Sequence, residues 1–406
     1  MILGPQGDDG AVLTAAGRDV PAVATQGAVV VLHTRVVCGT GGGPDKTVLN
    51  SPRYLEGQGY RAICAYMHPP GDPGFELLLE RAEVCRANLV GIPDRGAWDW
   101  RVARELLKLC RRERVAIWHG HDYKSNALGL LLARFWPMRL VTTVHGWGVT
   151  GGRRRLYYAI DRMSLRFYER VICVSDDLLS QCLAAWVAKT RCRLVYNAID
   201  TGHFKRRQAP DEAKRRLGFT PGRLLVGAVG RLSPEKGFEG LVAAADRLLA
   251  AGFDIELCIV GEGDERPALE RLIARLGRQD RIRLAGYQGD TLGWYEAMDV
   301  YALASLREGL PNVVLEAMAL EVPLVATRIA GVPRIVADGV NGLLIEPDDV
   351  DGLVRALRSL LEDQRLRARL ARAGRETIEK SYSFAVRMQK IRAIYDELLG
   401  RETSSI

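Results

Sequence analysis

Two glutamates, Glu308 and Glu316, form the most informative pattern in the sequence, because their spacing predicts one in a loop and the other one turn into a helix. Their carboxylates could then reach hydroxyl groups on two sides of a bound anion. A carboxylate repels phosphate and accepts hydrogen bonds from sugar hydroxyls, so the pair suits a ligand that carries both groups. Solvated glutamates on a surface loop and an ordinary amphipathic helix are the simpler interpretation of the pair taken alone.

The residues between the two glutamates predict an anion-binding turn. Gly309 permits a tight turn, and Pro311 suits the first position of a helix. The backbone N–H groups of Gly309, Leu310 and Asn312 would then face an anion, with the positive end of the helix dipole behind them.

Two cations follow another strand-like run. The apolar residues Leu224–Val229 lead into Gly230 and Arg231, and Lys236 follows in the same short loop. An arginine and a lysine in one loop suit a diphosphate, because both offer positively charged N–H donors to phosphate oxygens. A solvated loop between a strand and a helix is the alternative, and the acidic element downstream makes it less favoured.

In their order and spacing these elements resemble the glycosyltransferases of family four, also called group 1, which are retaining enzymes of the GT-B class. The resemblance covers most of the chain. The other motifs that carry it are Gly39-Thr-Gly-Gly-Gly43, Thr142-Thr-Val-His145, Val174-Ser175, Tyr196-Asn-Ala-Ile-Asp200, Ile259-Val-Gly261-Glu-Gly263, Gly286-Tyr287 and Asn341-Gly342. The implied fold is α/β, with two doubly wound Rossmann-like domains facing each other across a cleft.

The resemblance implies a role for each matched residue of the second domain. Arg231 and Lys236 would hold the diphosphate of a nucleoside diphosphate sugar. Glu316 would bind the ribose hydroxyls, and Glu308, as a catalytic residue, would bind hydroxyls of the transferred sugar. The segment that would complete the phosphate cradle is Gly309, Leu310, Pro311 and Asn312.

In the first domain, the resemblance implies that the backbone amides of Gly42 and Gly43 approach the same phosphates from across the cleft. His145 would lie near the transferred sugar as a second catalytic group, through a hydrogen bond or its electrostatic effect. If the resemblance is set aside, His145 is better interpreted as a histidine that follows a strand and is hydrogen-bonded within the fold.

The implied reaction moves a sugar from a UDP, GDP or ADP sugar to a glycan, lipid-linked or small-molecule acceptor, as in the synthesis of cell-envelope polysaccharides. Configuration would be retained, and neither a cofactor nor a metal is expected. Two departures stand out. Arg334 in Ala330-Gly-Val-Pro-Arg334 occupies a position where the family often has glutamate, and Ala198 replaces a common glycine. The change at Arg334 alters the expected surroundings of the donor sugar, so the resemblance does not identify that sugar.

Two other functions are alternatives. A sugar-nucleotide epimerase or hydrolase on the same fold would turn over the donor without an acceptor. A non-catalytic nucleotide-binding partner would bind the donor without turnover, and the intact acidic and basic pairs argue against it.

The whole chain has the length and composition of a two-domain globular protein, with 406 residues of which 48% are hydrophobic and 26% charged. Short apolar runs alternate with helix-patterned segments, which is typical of parallel sheets flanked by helices. The predicted divisions are a disordered tail (1–27), an acceptor-side domain (28–200), a linker (201–222), a donor-binding domain (223–380) and a helix that packs back on the first domain (381–406).

The positive charge is concentrated in the first half, where residues 1–200 carry 26 Lys and Arg against 19 Asp and Glu. Within it, residues 152–168 place apolar residues at helical spacing, with arginines on another face. We expect the apolar side of this helix to be buried. The alternative is a surface for anionic lipid headgroups. No nucleic-acid-binding motif is recognised, and no nucleic acid is expected as a partner.

The eight cysteines are scattered singly, which favours buried thiols in a reducing, cytoplasmic compartment. No apolar run reaches the length of a bilayer span, so association with the inner face of a membrane would be peripheral. His119 and His121, followed by Asp122, could bind zinc. Further ligands at a suitable spacing are missing, so we favour a strand end without metal.

Overall fold

The computed structural model describes residues 27–39, 41–96, 99–147 and 153–401, without the side chains of residues 153–155. The tail expected over residues 1–27 lies outside the described residues, except for Gly27. The chain divides into two compact units. The first consists of Met1–Tyr196 and Met388–Ile406, and the second of Asn197–Arg387.

The first unit is built on a parallel sheet. Its strands are β1 (Val29–Val36), β2 (Tyr60–His68), β3 (Leu89–Pro93), β4 (Ile117–Gly120), β5 (Arg139–Val144), β6 (Arg170–Cys173) and β7 (Cys192–Leu194). They lie in the order β3-β2-β1-β4-β5-β6-β7, with parallel pairing throughout. Leu32, Trp118 and Val171 are among the buried apolar residues of these strands, as expected for a sheet covered on both faces.

Helices connect these strands. They are α1 (Gly43–Leu55), α2 (Pro73–Val84), α3 (Trp100–Glu113), α4 (Tyr123–Leu132), α5 (Arg153–Leu165) and α6 (Asp176–Ala184). Four of them begin directly after a polar side chain that accepts hydrogen bonds from backbone N–H groups of the first turn. These caps are Asp72 for α2, Asp99 for α3, Asp122 for α4 and Ser175 for α6.

The second unit repeats this architecture. Its strands are β8 (Leu224–Val229), β9 (Ile255–Val260), β10 (Ile282–Gly286), β11 (Val300–Leu303), β12 (Leu324–Thr327) and β13 (Leu343–Ile345). They lie in the order β10-β9-β8-β11-β12-β13, again with parallel pairing. Val226, Ile259 and Val325 belong to the buried core of this unit.

The helices that follow are α7 (Pro210–Leu217), α8 (Phe238–Ala250), α9 (Arg266–Arg275), α10 (Leu292–Ala297), α11 (Asn312–Ala319), α12 (Val332–Ile335), α13 (Val350–Glu362), α14 (Gln364–Thr377) and α15 (Phe384–Leu399). The residues of α15 from Met388 onward belong to the first unit. In the part of the chain that the structure describes, no helix is long and apolar enough to cross a bilayer.

The predicted α/β fold with two doubly wound Rossmann-like domains is confirmed by the two parallel sheets and their connecting helices. In each sheet the strand order changes direction once, between β1 and β4 in the first unit and between β8 and β11 in the second. Ligands of such sheets bind beyond the carboxyl ends of the strands at this point. The fold therefore directs attention to the loops that follow these four strands.

The segment expected to be a linker, residues 201–222, instead belongs to the second unit and contains α7. Lys214 of this helix is buried. Its Nζ lies 2.7 Å from Oδ2 of Asp299 and 2.8 Å from the carbonyl oxygen of Arg223. A buried, fully hydrogen-bonded ion pair fixes the helix to its unit, although the composition of the segment is polar.

Helix α5 also departs from expectation. Leu156, Ile160 and Met163 are exposed, whereas Asp161 and Ser164 of the same helix are buried. The expected burial of the apolar side is therefore wrong for these three residues. A period of 3.6 residues identifies the two sides of a helix and does not specify which of them faces the sheet.

Three cysteines that are scattered in the sequence meet in the first unit. Cys173 of β6 and Cys182 of α6 have their Sγ atoms 3.6 Å apart, and Cys192 of β7 is buried as well. Cys38 is exposed, so the expectation of buried thiols does not hold for every cysteine.

Candidate active site

Adjacent strands bring the predicted cations and carboxylates of the second unit together. Arg231 and Lys236 follow β8, Glu308 follows β11, and these two strands are neighbours in the sheet. Since both strands run in the same direction, their carboxyl ends meet at one edge. Two loops that are far apart in the sequence therefore lie next to each other in space.

At this edge Lys236 and Glu308 form an ion pair, with Nζ and Oε1 2.5 Å apart. The same carboxylate oxygen accepts a hydrogen bond of 2.8 Å from the hydroxyl of Ser305. Ser305 is buried, and its carbonyl oxygen accepts a 2.7 Å bond from the hydroxyl of Thr327 on β12. Three neighbouring strands thus fix the position of the Glu308 carboxylate.

The loop that carries Lys236 fits closely against the end of β11. The backbone N–H of Leu306 donates to the carbonyl oxygen of Glu235 over 2.7 Å. Gly237 adopts a φ of +63°, and a Cβ at this position would lie 2.2 Å from the carbonyl oxygen of Ala304. Only glycine allows both the conformation and this close approach.

Arg231 lies in the same loop with its side chain exposed to solvent. Within the described residues, no hydrogen bond or ion pair engages its guanidinium group. Behind it, Gly261 approaches so closely that a Cβ there would lie 1.8 Å from the carbonyl oxygen of Gly230. The backbone is thus held by the end of β9, and the arginine remains available to an anion.

Glu316 is buried in α11, four residues after the helix begins. Its Oε2 accepts a 2.9 Å hydrogen bond from the hydroxyl of Tyr295 on α10. Burial, followed by the negative charge of Glu316, raises the pKa of Tyr295 well above its usual range, so this hydroxyl remains a donor. The tyrosine therefore holds a carboxylate in an otherwise apolar helix.

The turn between the two glutamates starts its helix one residue later than predicted. Helix α11 begins at Asn312, and Pro311 is the capping residue with φ −74° and ψ 113°. The proline therefore precedes the first helical position, because its ψ is extended. Within the described residues, no acceptor is recorded for the N–H groups of Gly309, Leu310 or Asn312.

The segment Ala330-Gly-Val-Pro-Arg334, which departs from the resembling family at Arg334, lies against this turn. The N–H of Gly331 donates to the carbonyl oxygen of Gly309 over 3.2 Å. Ala330 adopts a φ of +40°, a conformation that side chains with a Cβ rarely take. Arg334 is exposed on α12, and its carbonyl oxygen accepts a hydrogen bond of 2.9 Å from Tyr382.

In the first unit, Gly42 and Gly43 lie at the start of α1. The N–H of Gly42 donates to Oδ2 of Asp45 over 2.6 Å, and Asp45 in turn pairs with Arg35 at 2.7 Å. The chain therefore already satisfies the Gly42 amide. Gly43 begins the helix, and no acceptor of its N–H is recorded among the described residues.

His145 follows β5 and is the outer member of a row of histidines. Its Nε2 lies 3.1 Å from Nδ1 of His121, and Nε2 of His121 lies 3.0 Å from Nδ1 of His33. Burial lowers the pKa of His33 to about 3 and that of His121 well below its usual range, so both rings are neutral at pH 7. A neutral histidine carries one N–H, so the tautomer of each ring in this row depends on that of its neighbour.

His119 lies beside this row. Its Nδ1 is 2.5 Å from the hydroxyl of Tyr395, and its Nε2 is 2.7 Å from the hydroxyl of Thr143. Each of His33, His119 and His121 has a nitrogen within 4.8 Å of the others, a grouping that could hold a metal ion. Since most of these nitrogens already take part in hydrogen bonds within the unit, we interpret the group as a hydrogen-bond network.

Asp122 does not join the histidines that precede it in the sequence. Its carboxylate accepts hydrogen bonds from the backbone N–H groups of Val36 (2.6 Å), Lys124 (3.0 Å) and Ser125 (2.9 Å). It therefore caps α4 and joins this helix to the end of β1.

Several residues that contact the two glutamates or extend the row of His145 were not predicted from the sequence. Ser305 and Tyr295 hold the two glutamates, and His33 extends the row behind His145. Ser305 directly follows a strand, which is a usable signal. Tyr295 and His33 could have been found only from the packing of α10 and from the strand register, in which His33 is opposite His119.

Two family models match the chain. The model of glycosyl transferases group 1 matches residues 210–377, which lie in the second unit. The model of Glycosyltransferase Family 4 matches residues 41–203, most of which lie in the first.

Individual relatives agree with these matches. The chain is 30% identical over 331 residues to alpha-D-kanosaminyltransferase of Streptomyces kanamyceticus, which covers 76% of this chain and 84% of the relative. It is 37% identical over 195 residues to LpsE of Rhizobium meliloti (strain 1021), a lipopolysaccharide core biosynthesis glycosyltransferase. This second match spans 48% of the chain and 55% of LpsE, about half of each protein.

A solved structure with the same fold is that of HepE from Anabaena in complex with UDP. The TM-score is 0.76 at 19% sequence identity, over 91% of this chain and 100% of HepE. Two Rossmann-like units with these strand orders are the architecture of the GT-B fold. The chain belongs to glycosyltransferase family four, the group 1 glycosyltransferases.

Proposed function

We propose that the protein transfers a glycosyl group from a nucleoside diphosphate sugar to a glycan or lipid-linked acceptor, with retention of anomeric configuration. One observation carries the proposal. Lys236, paired with Glu308, lies beside an exposed Arg231 and a turn whose backbone N–H groups find no acceptor among the described residues. Such a group can receive a diphosphate and, next to it, a hydroxyl-rich sugar.

The proposed chemistry places positive charge where the leaving diphosphate becomes more negative. Arg231 and Lys236 neutralise the phosphates, and the N–H groups of Gly309, Leu310 and Asn312 add hydrogen bonds at the start of α11. Charge neutralisation by these side chains and N–H groups requires no metal. These roles explain why close backbone contacts fix the loop after β8. Cationic side chains and N–H groups that are already in position need not reorganise during the reaction.

The two glutamates divide the hydroxyl groups of the donor. Glu316, held by Tyr295 inside the helix, binds the ribose, and Glu308 binds the transferred sugar. When phosphate approaches Lys236, the Lys236–Glu308 pair opens or is shared, and the carboxylate becomes available to sugar hydroxyls. His145 of the first unit is proposed as a further partner of the transferred sugar, and Gly42 and Gly43 as additional phosphate contacts.

Retention is proposed from family membership. The proposed step is attack of an acceptor hydroxyl oxygen on the anomeric carbon, while the bond from that carbon to the diphosphate oxygen breaks on the same face. The proton of the acceptor hydroxyl passes to the departing phosphate. The lipid-linked acceptor is proposed because LpsE acts in the biosynthesis of a lipopolysaccharide core.

The test is product analysis by mass spectrometry after the full chain is incubated with UDP, GDP, ADP and TDP sugars and a bacterial lipid extract. Release of a nucleoside diphosphate together with a glycosylated lipid is the expected result, and NMR of the anomeric proton of the product reports its configuration. Donor turnover that ignores the extract would indicate hydrolysis or epimerisation, and donor binding without turnover a regulatory protein.

A further inference from the structure

Helix α5 and the turn after it present an apolar stripe to solvent. Leu156 is 61% exposed, Ile160 42%, Met163 60% and Phe167 66%. The spacing of four, three and four residues places the first three on one side of the helix, and Phe167 follows in the turn. Single exposed apolar residues are common, but a continuous stripe of large ones marks a contact surface.

The side of α5 that packs against the unit includes buried polar residues beside the apolar Leu165. The carboxylate of Asp161 accepts hydrogen bonds from Asn126 over 2.8 Å and from Trp147 over 2.9 Å, and it is buried. The hydroxyl of Ser164, also buried, donates to the carbonyl oxygen of Ile160 over 2.9 Å. The helix thus buries two polar residues, while Leu156, Ile160 and Met163 of the helix and Phe167 of the turn after it are exposed. Asp161, Ser164 and Leu165 hold the helix to the unit, and the exposed stripe adds little to that packing.

The charges around the stripe are positive. Asp161 is the one acidic residue in the sequence of α5, and it is buried, so the outer side of the helix carries no carboxylate. Arg162 and Arg166 are exposed beside the stripe. The guanidinium of Arg162 lies 5.0 Å from the ring centre of Trp147, and Nε of Arg166 donates to the carbonyl oxygen of Ala185 over 2.9 Å.

The hydrogen bond of Arg166 joins the turn after α5 to the end of α6, where another aromatic residue is exposed. Trp186 directly follows Ala185 and is 81% exposed. Tryptophan and phenylalanine at the border of an apolar surface, flanked by arginines, are the side chains that favour the boundary between lipid headgroups and acyl chains. A hydrophobic protein partner would not require the arginines, and a nucleic acid would not require the stripe.

We propose that this surface, formed by Leu156, Ile160, Met163 and Phe167 with Arg162 and Arg166, binds an anionic lipid bilayer. The apolar side chains enter the boundary below the headgroups, and the arginines pair with lipid phosphates. This assignment supplies the partner for the lipid-linked acceptor of the proposed function. The proposal is argued from the exposure and charge of α5. Vesicle binding needs neither sugar donor nor acceptor, so it can fail even when glycosyl transfer is observed.

The test is co-sedimentation of the full chain with vesicles of phosphatidylcholine alone and with about one third phosphatidylglycerol. We expect binding to the anionic vesicles that weakens as salt is raised, because exposed charges are screened. The double variant Met163→Ser, Phe167→Ser should lower the partition coefficient at least tenfold. Arg162→Gln should lower it about fivefold, the equivalent of about 1 kcal/mol for one basic residue near an anionic surface.

The matched control is Leu77→Ser, Val84→Ser, which removes exposed apolar side chains from α2 of the same unit and should leave binding within twofold. All these positions are exposed, and thermal unfolding verifies that each variant remains folded. The proposal is overturned if the wild-type chain does not prefer anionic vesicles, or if the Met163, Phe167 double variant binds as well as the control. Self-association without lipid that the same variant abolishes would assign the stripe to a second copy and overturn it too.

Discussion

Lys236 and Glu308 join the loops after two neighbouring strands through an ion pair in which Nζ and Oε1 are 2.5 Å apart. The pair is partly buried, and Ser305 shares the same carboxylate oxygen. The pair holds the Lys236 ammonium at the place proposed for a phosphate. It also holds the Glu308 carboxylate at the place proposed for the transferred sugar.

Replacing Glu308 by glutamine should separate catalysis from binding. The side chain keeps its shape and loses its charge, so we expect kcat to fall by about 100-fold or more, as for loss of an electrostatic group that acts in the transition state. The affinity for nucleoside diphosphate should stay within about threefold, because Lys236 loses a competing partner. Steady-state kinetics and calorimetric titration with the diphosphate measure the two quantities. A large loss of diphosphate affinity with unchanged kcat would contradict the assignment.

Replacing Glu316 by glutamine should act first on donor binding. Its proposed partners are ribose hydroxyls, so KM for the donor should rise about tenfold or more while kcat changes less, in line with the value of a hydrogen bond to a charged group. Tyr295→Phe is the matched control, since it keeps the carboxylate and removes the 2.9 Å bond that holds it. The control should show a smaller rise in KM. Equal kinetics for the glutamine variant and the wild type would remove Glu316 from the site.

Arg231→Ala should weaken donor binding without loss of stability. The guanidinium is exposed and is engaged by no ion pair among the described residues, so the unfolding temperature should remain within about two degrees. The affinity for nucleoside diphosphate should fall about 10- to 100-fold, as expected for a charge-assisted hydrogen bond to phosphate. Arg334→Ala, on the exposed end of α12, is a useful comparison. Should both variants bind the diphosphate like wild type, the diphosphate site lies elsewhere.

Ala330→Gly should stabilise the second unit. Alanine is held at a φ of +40°, a left-handed conformation that costs residues with a Cβ about 1–2 kcal/mol and glycine much less. After the greater chain entropy of glycine in the unfolded state is subtracted, we expect a gain of about 0.5–1 kcal/mol. Ala268→Gly on the exposed side of α9 should have the opposite sign, since the residue there is helical. Thermal and denaturant unfolding of both variants give the comparison.

The row of histidines should make the first unit sensitive to acid. His33 is neutral in the folded chain, with its pKa lowered by burial from 6.5 to about 3, and it faces His119 and His121. Below pH 6.5 the unfolded state binds a proton that the folded state does not. The free energy of unfolding therefore falls with decreasing pH, by about 1.4 kcal/mol per unit for each such histidine. This loss continues down to the folded pKa near 3.

His33→Gln should reduce this pH dependence. The measurement is the unfolding midpoint of the full chain between pH 7 and pH 4. An unchanged slope in the His33 variant would show that this ring is not held neutral. The slope is a readout distinct from simple loss of packing, which would lower stability at every pH.

Alternating apolar runs and helical patterns were sufficient to predict both sheets, because a strand buried on two faces is apolar along its whole length. The strand order was not contained in that pattern. The adjacency of β8 and β11, which brings Lys236 to Glu308, therefore had to come from the structure. The same holds for His33, which meets His119 through the register of β1 and β4.

Composition misled in two places for physical reasons. Residues 201–222 are polar, yet Lys214 forms a buried ion pair that no local pattern reveals. The period of α5 was correct and its orientation was not, because the packing side of this helix includes Asp161, which is buried through hydrogen bonds to Asn126 and Trp147. Both cases show polar groups that pack through specific partners, and partners distant in sequence cannot be read from composition.

The most direct test of the central claim is the rate of nucleoside diphosphate release from a panel of sugar nucleotides, with and without lipid extract, for the wild-type chain, Glu308→Gln and Arg231→Ala. We predict release from at least one donor that depends on the extract and falls about 100-fold in the Glu308 variant. The Arg231 variant should regain part of its rate at high donor concentration. Release from no donor, or release at equal rates in all three proteins, would contradict a sugar-nucleotide site at the ends of β8 and β11.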